Sequence, residues 1–161
     1  MSRPAASLSV DVRLLDPRLT GWGFPRWGSE AAAGLDLHAC LDAPLALGPG
    51  EAPVLIPAGF AVMIRDPDWC GLVVPRSGLG HRGLVMGNGV GVIDADYEGP
   101  LMVSAWNRNP PGTAPVAIAP GDRIAQLVFT RVARPTLRLV EGPAEAASAR
   151  GAGGFGSTGL R

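Results

Sequence analysis

The sequence contains no lysine, and its positive charge comes from arginines that balance the acidic residues, 14 against 14. Because the formal net charge is zero, the surface lacks the bulk positive field that drives non-specific binding to nucleic-acid backbones. We therefore expect no nucleic-acid partner for this chain.

Cysteine and long apolar runs are also scarce. Cys40 and Cys70 stand alone, without the paired spacing of a zinc site or a disulfide framework. No apolar run approaches the ~18–20 residues that a membrane span needs, and the first residues lack the apolar core of a signal peptide. We predict a cytoplasmic protein with no membrane contact.

Helix breakers, in contrast, are abundant, with 23 glycines and 16 prolines among 161 residues. Few windows could hold three helical turns, whereas short apolar stretches separated by turn clusters are typical of all-β domains. The sequence therefore predicts a single all-β domain, built as a sandwich, barrel or jelly roll. Strands are predicted at residues 8–14, 35–39, 60–64, 72–74, 101–106, 124–129 and 136–140, with Leu8, Val10, Val12 and Leu14 on one face of the first and one helical turn at 78–82.

The last residues have a different composition. From Ala144 to Arg161 the only large apolar side chains are Phe155 and Leu160, so we expect a mobile tail until a contact orders it. The stretch 151–156 fits the spelling G-x-G-x-x-G, but it neither follows a strand nor opens a helix, which excludes a dinucleotide loop.

Two short segments carry groups suited to chemistry. Arg76-Ser77-Gly78 combines a guanidinium, a hydroxyl and a glycine amide at a strand end, which suits phosphate oxygens, although an ordinary turn has the same composition. Asp36 lies between two apolar residues. It is either a candidate site residue or an ordinary residue on the outward face of a strand.

The glycine-rich segment 87–99 is the most informative. Its alternating glycines beside Asn88 predict a tight β-hairpin whose backbone could lie against a flat ring. Asp94 follows the apolar pair Val92-Ile93, and partial desolvation there would make its carboxylate a better base. An ordinary hairpin is the alternative. His38 and His81 are expected to be isolated histidines with satisfied hydrogen bonds.

Taken in order, five segments resemble the motifs of the trimeric dUTP diphosphatase (dUTPase) family. These segments span residues 33–39, 75–80, 87–99, 121–127 and 150–159, and the resemblance runs from about Val10 to the C-terminus. It implies a jelly-roll subunit in a homotrimer, with a catalytic core at 1–145 and an exchanged C-terminal arm at 146–161 that closes a site at a subunit interface.

The same resemblance implies hydrolysis of dUTP to dUMP and pyrophosphate, with Mg²⁺ held mainly by the substrate phosphates and water rather than directly by protein ligands. Asp94 would orient and deprotonate the attacking water, with Asp36 supporting the phosphate and metal-water region. Implied substrate-binding residues are Arg76, Ser77, Gly78 and Gln126 for the phosphates, Asn88, Gly89, Val92 and Ile93 for uracil, Tyr97 for deoxyribose, and Arg150, Phe155, Gly156, Ser157 and Thr158 in the arm.

Two departures from the family pattern stand out. Pro100 occupies a place where the family more often has a residue with a backbone N–H, which predicts a late or edge strand there. Ala152 replaces a frequent acidic residue in the last motif.

Two alternatives remain at this point. The first is a dCTP deaminase, a family with the same fold. That family relies on a glutamate, and Ser104 stands at the equivalent position here. The second alternative is a non-catalytic, nucleotide-responsive regulatory protein. The joint presence of Asp94, Arg76 and Tyr97 argues against it.

Overall fold

The computed structural model describes residues 8–140. Eleven strands and two short helices follow one another within this range. They are β1 (Asp11–Leu14), α1 (Arg18–Gly21), β2 (Gly34–His38), β3 (Leu45–Leu47), β4 (Val54–Pro57), β5 (Phe60–Met63), β6 (Trp69–Pro75), α2 (Ser77–His81), β7 (Leu84–Met86), β8 (Gly91–Ile93), β9 (Met102–Asn107), β10 (Val116–Ile118) and β11 (Arg123–Arg131).

The strands form antiparallel sheets whose neighbours come from distant parts of the chain. The largest sheet has the order β2-β11-β6-β8, and a second has the order β4-β9-β7. Two further pairs, β1-β5 and β10-β3, complete the described sheets. The predicted all-β class is therefore confirmed, and no helix among residues 8–140 is long and apolar enough to cross a membrane.

Alternating side chains from these sheets form one hydrophobic core. In β9, Val103 and Ala105 point inward at 1% exposure each, while their neighbours are only partly buried. Leu37 of β2 and Leu127 of β11 are fully buried beside Phe60 of β5. Since burial of one such side chain contributes about 1.5–3 kcal/mol, this core fixes the strands that carry the site.

A register shift in β11 changes which side chains share a face. Arg123 pairs with His38, but Ala125 pairs with Leu37 and Gln126 with Asp36, so one extra residue is accommodated between Arg123 and Ala125. In a regular strand, residues three apart point to opposite faces. The bulge therefore brings Arg123 and Gln126 to the same side of the sheet as Asp36.

Several local predictions are confirmed and others are wrong. The helical turn after Arg76 is present as α2, and the strand after Pro100 begins late, at Met102. The first strand starts only at Asp11, and Val12 and Leu14 are 45% and 42% exposed rather than buried.

The strand predicted at 136–140 is absent, and residues 136–140 pair with no strand within the described range. Leu137 and Leu139 there are 85% and 99% exposed.

The helix α1 was not predicted. The Asp16 carboxylate accepts the Arg18 N–H at 2.9 Å and fixes the first turn of this helix.

Candidate active site

A polar cavity of about 440 Å³ opens where β2, β6 and β11 meet. It is lined by Gly28, Ala32, Ala33, Gly34, Asp36, Arg76, Ser77, Gly78, Leu79, Arg82 and Gln126, and we call it the Arg76 cavity. The fold thus brings together five residues predicted from three separate sequence segments: Asp36, Arg76, Ser77, Gly78 and Gln126.

Asp36 is the electrostatic centre of this cavity. Asp36 is 6% exposed, and its carboxylate lies 3.1 Å from Arg76 Nε and 2.9 Å from Arg123 Nη1. The alternative placement on an outward strand face is therefore wrong. A buried carboxylate shared by two guanidinium groups holds both in fixed orientations, and one net positive charge remains for an anion.

Arg76 is further held by its own backbone and by β11. It stands between β6 and α2 in an extended conformation, with φ −82° and ψ 136°. Its Nη1 donates to the Arg123 carbonyl at 3.0 Å, and its carbonyl accepts the Gly80 N–H at 2.8 Å. The guanidinium is consequently positioned before any ligand binds.

Gln126 lies against Gly34 at the cavity wall. Its Nε2 donates to the Pro75 carbonyl at 3.0 Å. A Cβ on Gly34 would collide with the Gln126 side-chain oxygen, so a larger residue here would displace the Gln126 side chain. Gly34 belongs to the same segment as Asp36, which ties the first and fourth sequence segments together.

Arg123 and Arg82 are the residues that sequence reasoning missed. Arg123 lies in the recognised segment 121–127, but only the bulge in β11 reveals that it points toward Asp36. Arg82 lies beyond the recognised segment 75–80, and nothing in its local sequence distinguishes it from a surface arginine.

The glycine-rich segment does not form the predicted hairpin. β7 pairs with β9 and β8 pairs with β6, so residues 87–90 connect two different sheets. The turn is closed by the Gly89 N–H, which donates to the Met86 carbonyl at 3.0 Å, and Gly89 adopts φ +76°. Asn88 and Gly89 are exposed at this turn, and the Asn88 carbonyl accepts the Val90 N–H at 2.9 Å.

Asp94 directly follows β8 and begins a second turn. The Tyr97 N–H donates to the Asp94 carbonyl at 3.1 Å, and the next carbonyl, of Ala95, accepts the Arg65 N–H at 2.9 Å. The Asp94 side chain is exposed. The expected partial desolvation is therefore not provided by residues 8–140 of the same chain.

Tyr97 is held in one orientation beside this turn. Its hydroxyl donates to the Pro100 carbonyl at 3.0 Å, while a Cβ on Gly99 would lie 2.5 Å from the hydroxyl oxygen. The ring is still 41% exposed, and Val92 is 61% exposed. Both side chains are thus accessible from outside the described chain.

The two groups of predicted residues do not share one cavity. No residue of the segment 87–99 lines the Arg76 cavity. The arm residues Arg150, Phe155, Gly156, Ser157 and Thr158, and the predicted boundary at 145/146, lie outside the described residues. A single chain therefore presents a polar cavity with two arginines on its wall and, separately, an exposed glycine-rich turn.

A buried histidine and two buried cysteines line neither of these surfaces, although His38 pairs with Arg123 across β2 and β11. His38 is 2% exposed, burial lowers its pKa, and its Nδ1 has no hydrogen-bond partner among residues 8–140. The prediction of a satisfied histidine is wrong for His38. Cys40 and Cys70 are buried free thiols, and burial raises the pKa of Cys40 to about 11.

The described fold and its arginine cavity define an all-β protein built to bind an anionic ligand. A family model described as dUTPase matches residues 21–159. The chain belongs to the dUTPase family, and the jelly-roll expectation is confirmed with it.

Named relatives match nearly the whole chain. The deoxyuridine 5'-triphosphate nucleotidohydrolase of Xanthomonas campestris pv. campestris (strain B100) is 54% identical over 155 residues, covering 95% of this chain and 98% of its own. The protein of the same name from Xanthomonas oryzae pv. oryzae (strain MAFF 311018) is 53% identical over the full length of both chains.

Solved structures agree with the fold. The dUTPase of Staphylococcus bacteriophage 80alpha, solved with dUpNHpp, superposes with a TM-score of 0.78 at 27% identity, covering 96% of this chain and 100% of that one. A mutant dUTPase from phage phi11 of S. aureus, studied for the coordination of a structural Mg(II) ion, superposes with a TM-score of 0.71 at 26% identity, covering 86% and 99%.

Proposed function

We propose that this chain hydrolyses dUTP to dUMP and pyrophosphate, removing dUTP and supplying dUMP for thymidylate synthesis in the cytoplasm. The observation that carries this proposal is the Arg76 cavity, in a chain 54% identical to a named dUTP nucleotidohydrolase. Ser77, Gly78 and Gln126 offer neutral donors beside Arg76, which suits a triphosphate whose charge must be neutralised and oriented.

Asp94 is the proposed base. Water attacks the α-phosphorus, the Asp94 carboxylate accepts the proton that the water loses, and the bond to the β-phosphate oxygen breaks to release pyrophosphate. The carboxylate is exposed in the single chain, so the desolvation that strengthens it has to come from substrate or another subunit. The conformation of this turn, fixed through Ala95 and Tyr97, supports such a fixed base.

The exposed turn at Asn88 and Gly89 is proposed to bind the uracil edge, with Val92 and Ile93 beside it. Cytosine presents a donor where uracil presents an acceptor, so a site built for uracil leaves a buried group unpaired with cytosine. The fixed Tyr97 ring is proposed to pack against the deoxyribose and to exclude a 2′-hydroxyl. Its hydrogen bond to Pro100 supports a rigid role.

We further propose that the site is completed between subunits of a homotrimer. The Arg76 cavity and the Asp94 turn are separate surfaces of one chain, which supports a site built from more than one copy. The arm at 146–161, with Arg150 and Phe155, is proposed to close over the bound nucleotide and exclude water.

Mg²⁺ is proposed to reach the site on the triphosphate. Residues 8–140 contain no group of three or more metal-ligating side chains, and the described carboxylate of the Arg76 cavity, Asp36, already contacts two arginines. This donor set fits an ion held by phosphate oxygens and water. When bound, the ion neutralises negative charge on the phosphates.

Pyrophosphate release from dUTP, dCTP, dTTP and UTP tests the proposal. We expect fast release from dUTP only, and equal rates on all four nucleotides would refute the uracil and deoxyribose assignments. Ammonia release from dCTP would instead support a deaminase, although Ser104 stands where that chemistry needs an acid.

Mixed oligomers test the shared site. Asp94→Asn and Arg76→Gln should each be inactive alone, and refolding the two together should restore part of the activity. If the mixture stays as inactive as its components, each subunit supplies both residues to one site and the interface proposal fails.

A further inference from the structure

Arg82 is a basic residue of the Arg76 cavity, and it lies outside the predicted motifs. It follows α2, is exposed and lines the Arg76 cavity. It also lines a second cavity of about 260 Å³, which shares the wall made by Arg76, Leu79 and Arg82 and includes Arg123. Arg82 therefore lies at the junction of two cavities that both contain arginines.

The backbone at Arg82 is anchored to the adjacent loop. The Arg82 carbonyl accepts a hydrogen bond from Asn109 Nδ2 at 2.9 Å, and the Gly83 carbonyl accepts the Arg108 N–H at 3.0 Å. Gly83 has φ +103°, and a Cβ there would collide with the Asn109 side chain. This close approach fixes the point from which the Arg82 side chain extends.

The anchor continues into the core through Asn107. Its Oδ1 accepts the Asn109 N–H at 3.0 Å, and its Nδ2 donates to the Leu47 carbonyl at 2.9 Å. Asn107 is 1% exposed. A fully buried amide is costly unless both of its polar ends are bonded, so this network holds the loop rigidly.

The charge of Arg82 is not used within the described chain. Arg76 and Arg123 share the Asp36 carboxylate, whereas no carboxylate of residues 8–140 lies within 4.0 Å of the Arg82 guanidinium. The Asp122 carboxylate in the second cavity accepts the Ala119 N–H at 2.8 Å instead. An anchored arginine without a partner, at the edge of an anion cavity, is available to a ligand.

We propose that Arg82 is a further substrate-binding residue, whose guanidinium binds the terminal phosphates of the nucleoside triphosphate. This inference rests on the proposed function. Arg82 lies on the wall that the Arg76 cavity shares with the second cavity, and no residue of the segment 87–99, the proposed site for the nucleoside, lines either cavity. Its contact is therefore with the pyrophosphate part of the ligand, beyond the α-phosphate.

Calorimetric titration of two ligands tests this assignment. The non-hydrolysable analogue dUpNHpp carries the terminal phosphates, and dUMP lacks them. In Arg82→Gln the affinity for dUpNHpp should fall about 10- to 100-fold, the loss expected for one charge-assisted contact, while dUMP affinity stays within about twofold. Arg82→Lys should recover part of the loss, because it keeps the charge but not the fork of donors.

Arg131→Gln is the matched control. Arg131 lies at the opposite end of β11, where its guanidinium stacks 4.9 Å from the Trp69 ring centroid, and it lines neither basic cavity. Its removal should leave both affinities unchanged.

Unchanged dUpNHpp affinity in a folded Arg82→Gln protein would overturn the inference, and so would an equal loss for dUMP. If the wild-type protein fails to bind dUpNHpp or to hydrolyse dUTP, the proposed function fails instead. The two failures are thus distinguishable. Thermal unfolding of each variant checks that the fold is retained.

Discussion

Replacement of Asp36 by asparagine removes the charge that holds two arginines. The Asp36 side chain is 8% exposed, while those of Arg76 and Arg123 are 32% and 38% exposed. Breaking a fully buried ion pair costs about 3–5 kcal/mol, because an uncompensated charge is left behind. Both arginines keep partial access to water, and the amide retains one acceptor oxygen. We therefore expect Asp36→Asn to lower the free energy of unfolding by about 2 kcal/mol.

Asp42→Asn is the matched control because it removes the same charge from a pair of the same length. Its carboxylate lies 3.0 Å from Arg18 Nη1 but is 98% exposed. Exposed pairs contribute about 1 kcal/mol or less. The difference between the two variants therefore reports the effect of burial together with that of the second arginine.

Urea unfolding at one fixed protein concentration measures both variants, since oligomers change apparent stability with concentration. With a slope of about 2 kcal/mol per molar urea, Asp36→Asn should lower the midpoint by about 1 M. Asp42→Asn should lower it by less than half as much. Equal midpoint shifts would refute the argument that Asp36 organises the cavity.

Three further predictions concern other buried positions. Burial lowers the pKa of His38 below its ordinary 6.5, so the unfolded chain binds the proton more readily; stability should fall as the pH drops below 6.5, and by less in His38→Gln. The same pH dependence in both proteins, measured by urea unfolding, would contradict this. Gly34→Ala should displace Gln126 and weaken dUpNHpp binding, whereas Gly28→Ala, in open space on the same cavity, should not; matching affinities would count against the Gln126 contact. With its pKa raised to about 11, Cys40 should react with iodoacetamide at pH 8 at least about 100-fold more slowly in the native protein than after unfolding, and similar rates would exclude the buried placement.

The sequence predicts the strands of this fold well where alternation is set by the core. β2, β5, β9 and β11 lie within a few residues of their predicted bounds, because they pack on the interior, β9 with alternate residues and β2 and β5 on both faces. The first and last predicted strands fit less well. The first is shorter than predicted, although it pairs with β5 through Val12 and Val62. The last is absent, and Leu139 there is exposed, because periodicity alone does not say what covers an apolar face.

The site is predictable in composition but not in arrangement. Arg76 and Gln126 follow from their segments, yet the bulge that turns Arg123 toward Asp36 has no signal in the sequence alternation. The segment at 87–90 contains the residues of a hairpin, but the strands on either side pair with different neighbours. Pairing over long sequence distances decides such cases, and local turn composition does not encode it.

The position of water attack tests the central claim most directly. Hydrolysis of dUTP in ¹⁸O-labelled water, followed by mass spectrometry of both products, reports which phosphorus is attacked. Attack at the α-phosphorus by the water that Asp94 deprotonates places one ¹⁸O in dUMP and none in pyrophosphate, and Asp94→Asn should abolish both products. Label in pyrophosphate, or full activity of Asp94→Asn, would contradict the account.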